Sequence, residues 1–202
     1  MNMPQNLDLD IRKGSTFARS LFYASPVLAV KPITGITNSG QAVVTAAAHG
    51  LAVDWWVWVL GAKGIDRINN LPGELKVLDK AYRAYRVGAD TLRLDLDTTR
   101  FGAYTSGGEV LYLPPVDLSG WTARMELKTP DDEGTILQTL TTENGGITLT
   151  ANGEIKLLIA SADTTLYVPE TEGTWDIELV DPSGVVIPLI GGNFVISDEV
   201  TT

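Results

Sequence analysis

The residues able to do chemistry in this 202-residue chain are few and scattered. His49 is the single histidine. A catalytic histidine needs a nucleophile or carboxylate partner, and a metal-bound one needs further ligands. The sequence Ala48-His49-Gly50-Leu51 supplies neither, so His49 reads as a loop residue hydrogen-bonded to backbone. Asp95 and Asp97 are two apart on an alternating segment and so share a face, as acid–base or Ca²⁺ carboxylates do. Only Thr98 and Thr99 follow, with no third acid at a ligand spacing, which makes the pair a solvated strand end. Asp131-Asp132-Glu133 reads as a hairpin tip. No glycine-rich loop ends in Lys-Ser or Lys-Thr, and no helix pattern follows Gly107-Gly108, so no phosphate cradle is expected.

Two clusters point to binding instead. Trp55, Trp56 and Trp58 fall in one short run. On a strand, Trp55, Val57 and Val59 share one face and Trp56, Trp58 and Leu60 the other. Two readings stay open. One face is left over as a protein interface, where tryptophan is a favoured anchor, or both faces are covered, by this unit's own core and by a neighbouring sandwich. Carbohydrate stacking is a weaker use of the same rings. Tyr82, Arg83, Tyr85 and Arg86 form a basic-aromatic group of the kind that stacks bases. The formal net charge of −10 argues against phosphate-backbone binding, so pairing with acidic groups of this chain or a neighbouring subunit is expected. The candidate interface residues are thus Trp55, Trp56, Trp58, Tyr82, Arg83, Tyr85 and Arg86, with no catalytic residue, metal ligand or cofactor.

The elements that must position these residues are strands. The chain has no cysteine, which excludes disulfides, thiolate metal sites and cysteine nucleophiles. Its longest apolar run, Trp55–Leu60, is strand-length and far from the ~20 residues of a membrane helix. The first six residues lack the basic and apolar regions of a signal peptide and read as an arm. Abundant glycine, scattered proline and frequent Thr and Val predict many short strands joined by tight turns.

The pivot is 116–128. Trp121, Ala123, Met125 and Leu127 alternate with Thr122, Arg124, Glu126 and Lys128, the period-two pattern of a half-buried strand. Its best partner upstream is 15–23, about ninety residues back. Short strands are also expected at 74–78 and 81–87, a helical turn at 160–166 capped by Ser161, and a strand at 185–190 that Gly191-Gly192 breaks. Asn152-Gly153 marks a hairpin. Residues 7–30 are too few to bury a core alone. Joined to 114–199 they make the roughly 100 residues of an immunoglobulin-like sandwich. Prolines bracket 31–113 at Pro32 and Pro114-Pro115. The expected organisation is therefore an arm (1–6), a discontinuous sandwich (7–30 with 114–199), a small inserted β domain (31–113) and a tail (200–202). The alternative is a simple tandem.

Asp10-Ile11-Arg12-Lys13-Gly14-Ser15-Thr16-Phe17 and Asp117-Leu118-Ser119-Gly120-Trp121-Thr122-Ala123-Arg124-Met125 resemble the immunoglobulin-like β-sandwich proteins of tailed bacteriophages and prophages, including the N-terminal modules of upper baseplate proteins. The likeness continues through 140–147 and 173–180. In those proteins a short turn joins the first two strands to the Asp-Leu-Ser-Gly-Trp-Thr segment, and here 31–113 intervenes. Val43-Val44-Thr45, Ala48-His49-Gly50-Leu51, Asn69-Asn70 and Thr105-Ser106-Gly107-Gly108-Glu109-Val110 resemble a small β-barrel-like module of phage tail proteins, itself similar to the first catalytic-cysteine half-domain of ubiquitin-activating enzymes. Without cysteine, that likeness concerns fold only. The resemblance implies an all-β, non-enzymatic virion protein, an adaptor among neck, tail, baseplate or fibre proteins. It would be made in the host cytoplasm and assembled in symmetric copies, binding neither nucleic acid nor membrane. A receptor- or glycan-binding fibre or head-decoration module is the alternative, and a cell-wall hydrolase fits least.

Overall fold

A computed structural model describes residues 6–130 and 134–199. In chain order its strands are β1 (Leu9–Arg12), β2 (Phe17–Phe22), β3 (Ala29–Pro32), β4 (Gly35–Ile36), β5 (Val43–Thr45), β6 (Trp55–Leu60), β7 (Tyr82–Arg86), β8 (Thr91–Leu94), β9 (Glu109–Tyr112), β10 (Thr122–Lys128), β11 (Ile136–Thr141), β12 (Ile147–Leu149), β13 (Glu154–Ile159), β14 (Glu172–Val180) and β15 (Val186–Ser197). One helical turn, α1 (Ser161–Thr164), follows β13. The chain divides into two compact units, Ala24–Pro114 and the remainder on either side of it. The first boundary follows Tyr23 rather than residue 30, because β3 hydrogen-bonds to β9 of the inner unit, with Ala29 opposite Tyr112 and Pro32 opposite Glu109.

The outer unit is a β-sandwich. One sheet runs β1-β15-β14-β10-β11 and the other β12-β13-β2. The two sheets hold five and three strands and enclose one hydrophobic core. The alternation in the pivot is what makes this possible. Ala123, Met125 and Leu127 of β10 point inward and meet Trp175, Ile177 and Leu179 of β14 and Ile155, Leu157 and Ile159 of β13 in one buried cluster. Each Met, Leu or Ile side chain among them, fully buried, contributes roughly 1.5–3 kcal/mol.

Three expectations need correcting here. Residues 15–23 do not pair with the pivot. β2 pairs with β13 in the opposite sheet, and β10 pairs with β11 and β14. Both segments face the same core, so their patterns match without a shared ladder. Second, β15 runs unbroken through Gly191-Gly192. The glycines are there for close approach. A Cβ on Gly192 would lie 2.2 Å from the Leu7 carbonyl oxygen, where the Leu7 N–H donates to Gly191 O and Trp175 Nε1 donates to Leu7 O. Third, Ser161 is the first helical residue rather than the cap, a position Ala160 occupies without a side-chain bond.

The inner unit is a closed barrel. Its sheet runs β3-β9-β6-β7-β8-β5-β4. The two end strands belong to one continuous segment, because Ile33 N–H donates to Gly108 O and Thr34 N–H donates to Thr45 O between them. Residues 29–36 thus pair first with β9 and then with β5, which closes the ring, while β6 pairs with β7 over Trp55–Val57 and with β9 over Trp58–Leu60. Its core holds Trp55, Val57 and Val59 of β6 with Ala84, Leu92, Leu94 and Val110. The strand expected at 74–78 is instead a pair of 3₁₀ turns, Pro72–Glu74 and Leu78–Lys80. Pro72 pre-sets the first turn, and the Glu74 carboxylate accepts the Leu71 N–H at 2.8 Å. No helix among the described residues is long and apolar enough to cross a membrane.

Candidate interaction surface

The tryptophan run and the basic-aromatic group meet on adjacent barrel strands. β6 and β7 are antiparallel, with Trp55 opposite Ala84, Trp56 opposite Arg83 and Val57 opposite Tyr82. Alternation then sorts the residues by face. Trp55 turns inward and is 3% exposed, its indole N–H donating to Leu113 O at 2.7 Å. Trp56 turns outward and stays half-buried. Arg83 lies over its ring, with the guanidinium carbon 4.3 Å from the ring centroid.

Trp58 shares the outer face with Trp56 but is only 2% exposed. The connection between β6 and β7 folds back over it. The Trp58 indole N–H donates to Val77 O at 3.2 Å. Asn70 pins this strap to the strand. Its N–H donates to Val59 O, its Oδ1 accepts the Val59 N–H at 2.9 Å, and its Nδ2 donates to Lys80 O at 2.8 Å. Asn69 makes an equivalent pair of bonds to Ala62. Trp55 and Trp58 are therefore core and sub-strap residues, and of the three tryptophans only Trp56 reaches the surface. The second face is covered from within the barrel unit itself, a solution that neither reading of the sequence contained.

The basic-aromatic group also splits. Tyr82 turns toward the core, and its hydroxyl donates to Ile68 O at 2.9 Å. Burial first, and the nearby Glu74 charge second, push its hydroxyl pKa up. Arg86 is exposed, and its N–H donates to the Asp54 carboxylate. Arg83 and Tyr85 face outward beside Arg93 of β8, which lies opposite Tyr85 with its guanidinium carbon 4.8 Å from the ring centroid. The barrel wall thus carries two cation–π couples, Arg83 on Trp56 and Arg93 on Tyr85, each contributing ~0.5–1 kcal/mol at a partly exposed site. Both guanidinium groups rest on rings of this chain, and one face of each ring is thereby covered. Arg93 went unrecognised in the sequence because only the β7–β8 register brings it to Tyr85.

His49 is buried at 1% exposure. Its Nδ1 accepts the Leu51 N–H at 3.1 Å, which leaves Nε2 to carry the hydrogen donated to Gly88 O at 2.8 Å. The Tyr112 hydroxyl donates to the His49 carbonyl. Asp95 and Asp97 are both exposed. Asp97 closes a turn by accepting from the Thr99 hydroxyl and N–H, and these bonds hold its carboxyl below the usual range. Asp117, Glu143 and Asp181 are lowered in the same manner, chiefly by the side chains of Ser119, Thr142 and Ser183. Asp131, Asp132 and Glu133 lie outside the described residues. Among the described residues no group of three His, Asp or Glu side chains is placed to hold a metal ion.

On the sandwich, the outward face of β10 holds a charge cluster that the sequence showed only as alternation. Glu126 is 8% exposed although it points away from the core. Arg124 pairs with it on one side and Lys128 on the other, the latter at 2.8 Å. With Asp176 and Glu178 of β14 they line a polar groove of about 180 Å³. Three carboxylates and two cations thus line it, and both cations pair with Glu126. No protein-family model matches the chain, and no curated protein matches it.

Proposed function

We propose that this chain is a non-enzymatic structural protein of a tailed-phage virion, an adaptor connecting neck, tail, baseplate or fibre components. The observation that carries this reading is the pairing of two separately cored β units in one chain, a closed barrel carried between the second and third strands of a sandwich. Two units, each stabilised by its own core, give one polypeptide two surfaces on which different partners can dock. The resemblance of the segments around Asp10 and Asp117 to virion sandwich modules, and of those around His49 and Gly107 to a tail barrel module, supplies the context, since a fold alone does not name a function. The buried histidine, the turn-capping aspartates and the ring-stacked arginines all serve structural purposes, which favours docking over chemistry. The chain would act in several symmetric copies in the virion, with other virion proteins as partners.

Cryo-electron microscopy of the native particle tests this. The expected result is density for both units in a symmetric ring against neck, tail or baseplate proteins. Density at a fibre tip or on the capsid surface favours receptor binding or decoration, and absence from the particle ends the virion reading.

A further inference from the structure

An asparagine followed by glycine is able to modify itself. The glycine nitrogen, once deprotonated, attacks the asparagine side-chain carbonyl carbon, and with no Cβ in the way a five-membered ring closes readily. This chain has two such pairs, Asn144-Gly145 and Asn152-Gly153, and their sequence alone does not separate them. Both lie in turns of the sandwich, the first between β11 and β12 and the second between β12 and β13.

Hydrogen bonding separates them. The Asn144 carboxamide is held on three sides. Its Oδ1 accepts the Thr141 N–H and the Gly146 N–H, each at 2.9 Å, and its Nδ2 donates to Thr139 O at 3.0 Å. These bonds fix the plane of the amide and hold the nitrogen that would have to leave. The carboxamides of Asn38, Asn69, Asn70 and Asn193 are bonded as well. Asn152 differs. It is half-buried, its main-chain N–H donates to the Thr150 hydroxyl at 3.4 Å, and its side chain makes no hydrogen bond among the described residues. The attacking nitrogen there is restrained by one long bond, from the Gly153 N–H to Thr150 O at 3.2 Å. The Gly145 nitrogen carries no such bond among the described residues, so the balance is three bonds to break at Asn144 against one at Asn152.

We infer that Asn152 is a site of covalent self-modification, converting through a succinimide to aspartate and isoaspartate, while Asn144 is protected by its bonds. Hydroxide removes the Gly153 amide proton, the nitrogen attacks Asn152 Cγ, and the Cγ–Nδ2 bond breaks. Nδ2 takes a proton from water and leaves as ammonia. Water then adds to one of the two ring carbonyls. Opening at Cγ gives aspartate, and opening at the main-chain carbonyl gives isoaspartate. Ammonia is exchanged for water, with no oxidation or reduction. Isoaspartate lengthens the main chain by one carbon in a loop clamped at both ends. Thr150 N–H donates to Glu154 O at 3.0 Å, and Tyr23 N–H donates to Gly153 O at 2.7 Å. The Gly153 backbone has no room to shift, since even a Cβ there would collide with the Tyr23 carbonyl. The modification therefore releases Tyr23, the residue that follows β2. The inference rests on the turn geometry and stands or falls apart from the virion reading.

The test incubates the full chain, folded, in warm and mildly alkaline buffer, beside the same chain unfolded in urea. Digestion and tandem mass spectrometry locate the mass gain of an amide turned acid, and electron-transfer fragmentation tells isoaspartate from aspartate. Each site's folded rate is divided by its own rate in the unfolded chain. On that scale Asn152 converts faster than Asn144 by roughly ten- to a hundredfold, the effect of two fewer hydrogen bonds to break. Asn152→Gln abolishes the fast conversion and leaves Asn144 as slow as before. In amide-exchange spectra the isoaspartate form loses protection at Tyr23. Equal ratios at the two sites, faster conversion at Asn144, or a folded chain that converts at neither site while the unfolded chain converts at both each overturn the inference. An isoaspartate form whose Tyr23 amide stays protected overturns the release of Tyr23.

Discussion

Asn70→Ala probes how the barrel keeps Trp58 from the surface. The side chain is small and 7% exposed, and it joins strap to strand by two bonds. Removing it leaves the Val59 N–H without a partner in a residue with 0% exposure. An orphaned buried donor costs about 1–3 kcal/mol. The Lys80 carbonyl belongs to an exposed residue, so water replaces most of the second bond, and its loss adds at most about 1 kcal/mol. The sum is about 1–4 kcal/mol. At roughly 4–8 °C per kcal/mol for a unit of this size, that lowers its melting temperature by on the order of 5–30 °C. Thermal melting followed by near-ultraviolet circular dichroism reads the shift. Native-state exchange at the Val59 amide and acrylamide quenching of Trp58 show whether the strap has lifted. If Asn70→Ala melts within a few degrees of the parent and Val59 stays protected, the strap is held by something else and the reasoning fails.

Gly192→Ala should cost at least the ~1–3 kcal/mol of an overpacked site, because the new Cβ meets the Leu7 carbonyl and the backbone must move; an unshifted Trp175 indole N–H resonance would contradict this. Arg83→Gln uncovers one face of Trp56 at a cost of about 0.5–1 kcal/mol, read as increased acrylamide quenching, and unchanged quenching would show that the guanidinium does not shield the ring. Burial, and then the Asp163 charge, push the Tyr167 hydroxyl from 10.0 up to about 12. With the folded value raised, its contribution is whole below pH 10 and is lost as pH rises toward about 12, so Tyr167→Phe should flatten the fall in urea midpoint across that window. Asp181 has the opposite sign. The Ser183 hydroxyl and then the Val185 N–H hold its carboxyl below 3.8, so its contribution is present above that value and is lost as pH falls through the lowered one. Asp181→Asn should therefore flatten the acid limb of the urea-midpoint profile, and an unaltered limb would rule Asp181 out as a contributor.

Strands and turns were legible where the sequence carries them locally. Period-two alternation in 121–128 and in 154–159 marks half-buried strands whatever they pair with, and the all-β class followed from it. Asn152-Gly153 and Asp181-Pro182-Ser183-Gly184 announce turns because their residue types suit those backbone angles. The bland reading of His49 rested on the lack of partners in its neighbourhood, and the side chain is indeed spent on the backbone of Leu51 and Gly88. The reading of Gly191-Gly192 as a break failed because glycine serves close approach as readily as turning, and what approaches is Leu7, more than 180 residues away. The strand expected at 74–78 failed because Pro72 and the Glu74 carboxylate set 3₁₀ turns there, and no strand among the described residues pairs with it.

By itself, then, the sequence determined the all-β class, the apolar face of the strands that alternate cleanly, such as 121–128 and 154–159, and the absence of cysteine chemistry. Those properties depend on neighbours within a few residues. The tertiary structure alone decided which sheet β2 joins, that 29–36 closes the barrel by pairing with two different strands, and that Trp56 remains at the surface while Trp58 does not. It also decided that Arg83 and Arg93 lie on rings. Each of these depends on cross-strand register between distant segments. A strand's own alternation is equally compatible with several registers, so the packing of the whole core has to select among them.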